Sequence, residues 1–367
     1  MSHLFDPLPL REVTLANRII VSPMCEYSSV DGFANDWHFV HLGCRAVGGA
    51  ALVFTEATAV TPEGRISPDD LGIWSDRHCE MIDRIVRFIH GQQTRAGMQL
   101  AHAGRKGSAL APWKGHGQVK PEDGGWEPVG PGDEPFASGY PIPRALATGD
   151  IPRIVAAFRD AARRARDVRM DVVEIHAAHG YLIHEFLSPL TNRRSDRYGG
   201  SFDNRIRLCL DIVDAVRDVW PDRLPLFVRI SATDWTDGGW DLDQSVELCQ
   251  RLRERGVDLV DCSSGGNVAH AEIPAGPGYQ SPFAERIRHD AHVATATVGL
   301  ITSPTQADHI VRTGQADCVV LARELLRDPY WPLRAARELG HRVPWPAQYL
   351  RAAPPGTPAR AVDSFGL

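Results

Sequence analysis

Short runs of β-branched and other apolar residues alternate with helical patterns along almost the whole chain. Several of these runs are nearly all apolar, as expected of strands that are buried on both faces. The alternation predicts a parallel sheet covered by helices, and eight such repeats close into a barrel. The fold class is therefore predicted as α/β, a (β/α)8 TIM barrel. Its eight predicted strands are Ile19–Ser22, Ala51–Thr55, Met98–Ala101, Val172–His176, Leu226–Ile230, Leu259–Cys262, Ala294–Val298 and Cys318–Leu321.

The intervening helices have recognisable beginnings and ends. Apolar residues at helical spacing after Ser75 and after Asp150 predict two of them. Ser303 followed by Pro304 is typical of an N-cap and a first helical position, and Gly314 is typical of a helix end.

Two segments lack this periodicity. Residues 104–149 are rich in Gly, Pro and Trp and follow the third strand, so they are predicted to form a long excursion over the C-terminal mouth of the barrel. The chain after Pro344 is also irregular. The prediction is one barrel domain over residues 1–351, followed by an irregular C-terminal tail over residues 352–367.

Composition narrows the function classes. A net charge of −6 and 23% charged residues give no nucleic-acid or membrane signature. The seven cysteines include no CxxC pair, which argues against a disulfide framework or a zinc site and favours a reducing compartment. The N-terminus lacks a basic region followed by a long apolar run. We therefore expect a cytoplasmic enzyme with no metal, no membrane partner and no nucleic-acid partner.

Polar or reactive residues follow nearly every predicted strand, at the end where such barrels place their active sites. His176 and His179 stand just past the fourth strand. From the residues alone, this pair is compatible with catalysis, metal binding or simple packing, although no third ligand at suitable spacing is evident.

Several of these strings, taken together, resemble the old yellow enzyme family: SPMCEY, EATAV, QLAHAGRK, EIHAAHGYLIHEFLSPLTNRRSDRYGGSFDNR, VGLI and LARELLRDPYW. The similarity runs from about Leu4 to about Arg351, and the Cys-x-Tyr after the first strand resembles the thermophilic-like branch of that family. The resemblance implies an FMN-dependent ene-reductase. Such an enzyme takes electrons from NADPH or NADH and reduces activated C=C bonds of enones, maleimides or nitro compounds by ping-pong hydride transfer.

The resemblance also assigns catalytic and substrate-binding residues. It implies that His176 and His179 bind the substrate oxygen, where two donors would polarise the acceptor and stabilise enolate-like charge. It makes Tyr181 the proton donor to the α-carbon, a step that suits a phenol. Cys25 would lie near the flavin and tune its potential, and Tyr27 would bind or line the substrate pocket.

The same resemblance assigns the cofactor site. Gln99 and Arg229 fit the polar edge of the flavin, where an amide both donates and accepts and a cation stabilises the reduced ring. A lone arginine in an apolar strand is equally consistent with an ion pair to a barrel carboxylate. The FMN phosphate is expected near Gly299, Ala322 and Arg323. The remaining FMN contacts are assigned to Ser22, Pro23, Met24, Cys25 and Ala57.

Four features depart from the family pattern or extend beyond the pocket. Ala322 stands where the family usually has glycine, which is tolerable if its φ is negative. No glycine stop occurs within residues 166–171, so a different helix ending is expected there. Glu26 is unexplained by the resemblance and is predicted to point away from the pocket. The segment at Arg351 resembles one that reaches into a neighbouring subunit, which implies a homodimer or a dimer-based homotetramer with Arg351 contacting substrate.

Other functions make different demands on the sequence. A non-redox barrel lyase or aldolase that binds a phosphorylated substrate would need a Schiff-base lysine or a metal triad, and no lysine is expected at the strand ends. A flavin-storage protein would show no turnover. An iron–sulfur relative of the family would need clustered cysteines and further C-terminal domains, neither of which this sequence contains.

Overall fold

The computed structural model describes residues 3–361 and has a closed barrel at its centre. The strands are β1 (Leu8–Leu10), β2 (Val13–Leu15), β3 (Ile19–Val21), β4 (Leu52–Ala59), β5 (Arg95–Ala101), β6 (Val129–Gly130), β7 (Arg144–Ala145), β8 (Val172–Ala177), β9 (Leu226–Ser231), β10 (Leu259–Ser263), β11 (Ala294–Thr297) and β12 (Cys318–Leu321). The barrel runs β3-β4-β5-β8-β9-β10-β11-β12 and closes from β12 back to β3, with every pair parallel. Each predicted strand overlaps one of these eight, which confirms the (β/α)8 barrel.

Helices connect the barrel strands and cover the barrel. They are α1 (Asp36–Val47), α2 (Cys79–Gly91), α3 (Ile151–Asp167), α4 (Leu182–Leu187), α5 (Phe202–Arg205), α6 (Arg207–Arg217), α7 (Leu242–Glu254), α8 (Ser281–Ala291), α9 (Pro304–Thr313), α10 (Arg323–Arg327) and α11 (Trp331–Glu338). The predicted limits of α9 are confirmed: Ser303 caps its N-terminus, and Gly314 ends it at φ +78°. At the end of α3, Arg169 takes the left-handed conformation at φ +63°, so an arginine provides the turn for which no glycine is available.

The core fills the barrel and the layer beneath the helices. All residues of β4, β8 and β9 are buried, which explains why these strands are largely apolar in sequence. Inside the barrel Phe54 packs against Phe227, with ring centroids 6.1 Å apart. No helix within the described ranges is long and apolar enough to cross a membrane.

The hairpin of β1 and β2 lies at the N-terminal ends of the barrel strands. Arg11, in its turn, donates to the carbonyl oxygen of Asp222 and to the carboxylate of Asp258, residues that precede β9 and β10. Since the hairpin covers this end of the barrel, the opposite end, at the C-terminal ends of the strands, is available for an active site.

The excursion after β5 is confirmed, and it is anchored rather than loose. Its short strands β6 and β7 pair with each other in parallel. Arg194, from the loop after α4, donates to the carbonyl oxygens of Pro131 and Leu146 at 3.1 and 2.6 Å. Trp126 donates its indole N–H to the carbonyl oxygen of Glu63 at 3.0 Å. These bonds hold the excursion against the loops at the C-terminal mouth.

The C-terminal segment has little regular structure within its described residues, and it packs on the barrel. One 3-10 helix spans Ala347–Ala352, and Trp345 pairs with Ala359 in an isolated bridge. Arg360 donates to the carbonyl oxygens of Ala46 and Gln92 at 3.1 and 3.2 Å. The predicted tail extends to residue 367, and its part over residues 362–367 lies outside the described residues.

Candidate active site

The predicted site residues lie side by side because neighbouring strands end in register. His176 on β8 is level with Arg229 on β9, which is level with Asp261 on β10. On the other side, Gln99 on β5 is level with Ala57 on β4. Parallel strands of a barrel deliver their C-terminal residues to a single mouth, so residues more than 200 positions apart form one site.

The two histidines form a pair directed at a common point. His176 Nε2 and His179 Nδ1 lie 3.4 Å apart, and the rings are nearly perpendicular. The backbone N–H of Ala178 donates to His176 Nδ1 at 3.2 Å, so the ring proton of neutral His176 is on Nε2. Ser263 Oγ lies 2.7 Å from His179 Nε2, and in the tautomer in which Ser263 donates to this nitrogen the proton of His179 is on Nδ1. Both free N–H groups then face the same space.

Both histidines are held neutral by their surroundings. Burial lowers the pKa of His176 and of His179, and the guanidinium of Arg229 lowers both further. A neutral imidazole keeps one N–H donor and one acceptor, which is the state required by the hydrogen bonds described above.

Tyr181 and the Cys25–Tyr27 segment complete the apolar side of the mouth. The Tyr181 ring packs edge-on against His176, with centroids 4.9 Å apart. Burial raises the pKa of the Tyr181 and Tyr27 phenols, so both remain protonated at neutral pH. Burial likewise raises the pKa of the Cys25 thiol, and the carboxylates of Asp70 and Glu56 raise it further. The structure therefore gives Cys25 the character of a thiol and not of a thiolate nucleophile.

Arg229 joins two strands across the barrel mouth. One guanidinium nitrogen donates to Ser22 Oγ at 3.1 Å, and Nε lies 3.2 Å from Asp261 Oδ2. The carboxylate partner anticipated for this arginine is therefore Asp261. Nearby, Gln99 donates its amide N–H to Glu174 Oε1 at 2.7 Å, which leaves the amide oxygen of Gln99 free for another donor. Burial raises the pKa of both Glu174 and Asp261.

A cavity of about 200 Å³ leads from Arg229 to Gly299, Ala322 and Arg323. Gly299 has φ +135°, and a Cβ there would come within 2.9 Å of the Tyr279 ring, so only glycine leaves this wall open. Arg229, Arg323 and Arg327 line the cavity, and their guanidinium groups suit an anion such as a phosphate. Ala322 has φ −104°, so its methyl group is tolerated where the family usually has glycine.

Ser22, Pro23 and Met24 follow β3 at the same mouth, close to Arg229. Met24 is half-buried and packs on the hydrophobic core. The neighbouring Glu26 turns toward α1, as predicted: its carboxylate lies 3.1 Å from His41 Nε2 and accepts from the indole of Trp37 at 2.8 Å.

Arg351 lies apart from this cluster. It is exposed and lines a surface groove of about 570 Å³ with Tyr330, Trp345 and Tyr349. No described contact joins it to the histidine pair of the same chain.

Sequence reasoning overlooked several residues of the site. Contrary to the expectation of no lysine at the strand ends, Lys106 lies beside the histidine pair, where its Nζ donates to the carbonyl oxygen of His179 at 2.8 Å. Glu174 and Asp261 were also missed, although a carboxylate inside an apolar strand is itself a signal that a buried partner exists. Ser263, which bonds His179, has no distinguishing sequence signal. Within residues 3–361, no group of three or more His, Cys, Asp or Glu side chains is arranged to hold a metal ion.

Comparison with known proteins places this geometry in a family. The model of the NADH:flavin oxidoreductase / NADH oxidase family matches residues 3–341. The chain belongs to this family. The NADH:flavin oxidoreductases include the old yellow enzymes, so the sequence resemblance is confirmed, the protein is a flavin-dependent oxidoreductase, and FMN is its cofactor.

Other members of the NADH:flavin oxidoreductase family match over nearly their whole length. An NADPH dehydrogenase of Geobacillus sp. (strain WCH70) is 49% identical over 350 residues, which cover 95% of this chain and 98% of the relative. An NADPH dehydrogenase of Bacillus subtilis (strain 168) is 45% identical over 350 residues, with the same coverage.

Solved structures of this flavin oxidoreductase family have the same fold. Morphinone reductase in complex with tetrahydroNAD gives a TM-score of 0.77 at 27% identity and covers 99% of this chain and 96% of that one. The old yellow enzyme homologue from Zymomonas mobilis gives 0.78 at 26% identity, covering 92% of this chain and 93% of that one. The alternative of a non-redox lyase or aldolase is not favoured by these findings.

Proposed function

We propose that this protein is an ene-reductase that takes electrons from NADPH or NADH and reduces the activated C=C bond of enones, maleimides and related nitro compounds. The observation that carries the proposal is the histidine pair, whose Nε2 and Nδ1 atoms lie 3.4 Å apart at the mouth of the barrel. Two N–H donors that converge on one point suit an oxygen on which negative charge develops.

The pair would act on the substrate carbonyl or nitro oxygen. Because burial and Arg229 lower the pKa of both rings, each one acts as a neutral donor. Hydrogen bonds to the oxygen withdraw electron density from the conjugated C=C bond and make its β-carbon electrophilic. The bonds strengthen as enolate-like charge builds on the oxygen, which is the condition for catalysis rather than simple binding.

Tyr181 would supply the proton to the α-carbon. Its ring packs against His176, and burial keeps its phenol protonated. A proton held on this phenol until the enolate forms suits general-acid catalysis. Tyr27 and Cys25 would line the substrate side of the same space.

FMN would supply the redox chemistry, by accepting a hydride from NAD(P)H and passing it to the substrate in a second, separate step. Arg229 and Gln99 would hold the polar edge of the ring, and Ser22, Pro23, Met24 and Ala57 its neighbouring surface. Arg323, Ala322 and Gly299 would hold the phosphate in the cavity described above. The use of NADPH by this chain is inferred from the names of its relatives.

The proposal extends to assembly and location. We infer a homodimer or a dimer-based homotetramer in which Arg351 reaches the pocket of a second copy. This inference is supported by the position of Arg351, which is exposed on a surface groove with Tyr330 and Tyr349 and lies outside the active-site pocket of its own chain. A cytoplasmic location is part of the proposal and is supported by seven cysteines that are all free thiols in the structure.

The experiment is anaerobic stopped-flow of the yellow, FMN-loaded protein, reduced first with NADPH and then mixed with cyclohexenone. A variant with His176→Ala and His179→Ala should reoxidise roughly a hundredfold more slowly or worse. It should also lose the charge-transfer band with a phenol. His309→Ala on the exposed face of α9 is the matched control.

Two results would contradict the proposal. If the double variant reoxidises with cyclohexenone as fast as the unmodified protein, the histidine pair does not bind the substrate oxygen. If enones, maleimides and nitro compounds all fail to reoxidise the unmodified protein, the substrate class is wrong.

A further inference from the structure

Lys106 lies at the junction of three loops that surround the histidine pair. It ends the 3-10 turn Gly104–Lys106 that follows β5. Its Nζ donates to the carbonyl oxygen of His179 at 2.8 Å and also to that of Gly266. It lies 4.0 Å from the centre of the Phe136 ring, which belongs to the excursion. The three N–H bonds of an ammonium group can therefore all be used.

The backbone that Lys106 binds is strained. His179 has φ +60°, a left-handed conformation that is costly for a residue with a side chain. The next residue packs directly on Gly266: a Cβ added to Gly180 would come within 2.2 Å of the Gly266 oxygen. Two loops are thus in backbone contact, with two carbonyl oxygens directed at the same ammonium group.

His179 is held by contacts at its backbone and at its ring. The backbone N–H of His179 donates to Ser231 Oγ at 2.9 Å, and its Nε2 lies 2.7 Å from Ser263 Oγ. Lys106 provides the remaining bond, to the carbonyl oxygen of His179. Without the bond from Lys106, the described hydrogen-bond contacts of His179 are those with Ser231, Ser263 and the His176 ring.

We propose that Lys106 is a positioning residue of the oxygen-binding site, because its ammonium group holds His179 in the left-handed conformation that directs Nδ1 at the substrate. The inference rests on the proposed role of the histidine pair. It adds a residue that touches neither the substrate nor the cofactor and that acts through the backbone of His179.

The positioning should depend on pH. Burial and, to a smaller extent, the adjacent Arg105 lower the pKa of Lys106 to about 7, against the opposing effect of Glu185 on α4. Of the other titratable groups near it, His176 and His179 are held neutral, and burial keeps the Tyr181 phenol, whose ring centre lies 5.7 Å from Nζ, protonated. Burial also raises the pKa of Glu185 to about 8. As pH rises through the pKa of Lys106, the ammonium loses its charge. Its hydrogen bonds to the two carbonyl oxygens then weaken, since charge-assisted bonds are the stronger ones.

The test compares Lys106→Met, which keeps the aliphatic stem, with Lys106→Arg, which keeps the charge. The control is Lys114→Met, which removes an exposed lysine paired with Asp69. The probe is para-hydroxybenzaldehyde, titrated against the FMN-loaded proteins and followed by its charge-transfer band between about pH 6 and about pH 9. Ionisation of the probe is common to all variants, so differences between them report Lys106.

Lys106→Met should raise the Kd of the probe roughly tenfold or more at low pH, as expected for loss of a hydrogen bond to a charged group. The difference from the unmodified protein should shrink as pH rises, because the unmodified lysine loses its charge. Lys106→Arg should recover part of the affinity and abolish the pH dependence. Equal Kd values for Lys106→Met and the unmodified protein at every pH would overturn the inference.

A second readout is independent of substrate and flavin. Long-range 1H–15N NMR spectra of the histidine rings should show that Lys106→Met changes the His179 signals and leaves those of exposed His309 unchanged. Unchanged His179 signals would overturn the inference even if the proposed function holds. Changed signals with no enone reduction by the unmodified protein would sustain the positioning role and refute the proposed function.

Discussion

Removal of the Arg229 guanidinium should lower the free energy of unfolding of the protein, apart from any effect on activity. Arg229→Met keeps much of the aliphatic volume, but it leaves Asp261 buried without its cation. Arg229 is only 5% exposed and Asp261 2% exposed, and their charged atoms lie 3.2 Å apart. Solvent therefore cannot replace the missing charge.

The size of the effect follows from this burial. Breaking a buried ion pair by removing one partner typically costs about 3–5 kcal/mol. At roughly 2 °C per kcal/mol for a chain of this size, the Tm should fall by about 6–10 °C. The double variant Arg229→Met with Asp261→Asn removes the unpaired charge, so it should recover a large part of that loss.

The pKa of Asp261 also determines the direction in which the stability of Arg229→Met changes with pH. Burial raises the pKa of Asp261, and the Arg229 guanidinium opposes this rise. The pKa of Asp261 should therefore be higher still in Arg229→Met, which lacks the guanidinium. The folded variant then holds a proton that the unfolded chain releases above its ordinary pKa of about 3.9. The folded state binds more protons, so stability of the variant falls as pH rises from about 4 toward neutrality.

The assay is thermal unfolding of the FMN-free proteins, followed by circular dichroism at about pH 5 and about pH 7. The Tm deficit of Arg229→Met should be larger at the higher pH, and the double variant should show little of this dependence. A single variant whose Tm lies within about 1 °C of the unmodified protein at neutral pH would refute the reasoning. So would a deficit that grows as pH is lowered.

Three further predictions concern other parts of the site. Gly299→Ala places a Cβ in the cavity wall at a residue with φ +135°, so the Kd for FMN should rise about tenfold or more. The Kd is measured by flavin fluorescence after ultrafiltration, and an unchanged Kd would show that the phosphate binds elsewhere. Arg194→Met removes the hydrogen bonds to two carbonyl oxygens of the excursion, so limited proteolysis should cleave within residues 104–149 faster. An unaltered cleavage rate would mean that other contacts are sufficient to hold the excursion in place. Glu56→Gln removes a carboxylate that raises the pKa of Cys25, so mass spectrometry should detect several times faster iodoacetamide alkylation of Cys25 at about pH 8. No change in the rate would show that Glu56 does not control the thiol.

The barrel could be predicted from the sequence because burial on both faces makes its strands largely apolar. β12 was predicted with its observed limits, Cys318–Leu321. β4 was predicted to end at Thr55 but continues to Ala59, since a register shift between Phe54 and Ala57 allows the strand to carry Glu56 and other polar residues. A local apolar pattern does not reveal such an irregularity.

The site was predictable where a residue's role depends on its own strand end, and not where it depends on distant loops. His176 and Arg229 lie near the C-terminal ends of their strands, and Tyr181 follows a strand, so their place at the mouth was predicted. Lys106 acts through the carbonyl oxygens of His179 and Gly266, which lie 73 and 160 positions away in the chain. No spacing rule connects positions so far apart, and only the packed loops bring them together.

The central claim is that FMN lies across the barrel mouth, with its ring edge at Gln99 and Arg229 and an electron-poor acceptor held by the histidine pair. A crystal structure of the yellow protein with para-hydroxybenzaldehyde tests it most directly. We predict a flavin ring between these groups and the phenol oxygen within hydrogen-bonding distance of His176 Nε2 and His179 Nδ1. A flavin bound elsewhere, or a phenol oxygen directed away from both histidines, would contradict the account.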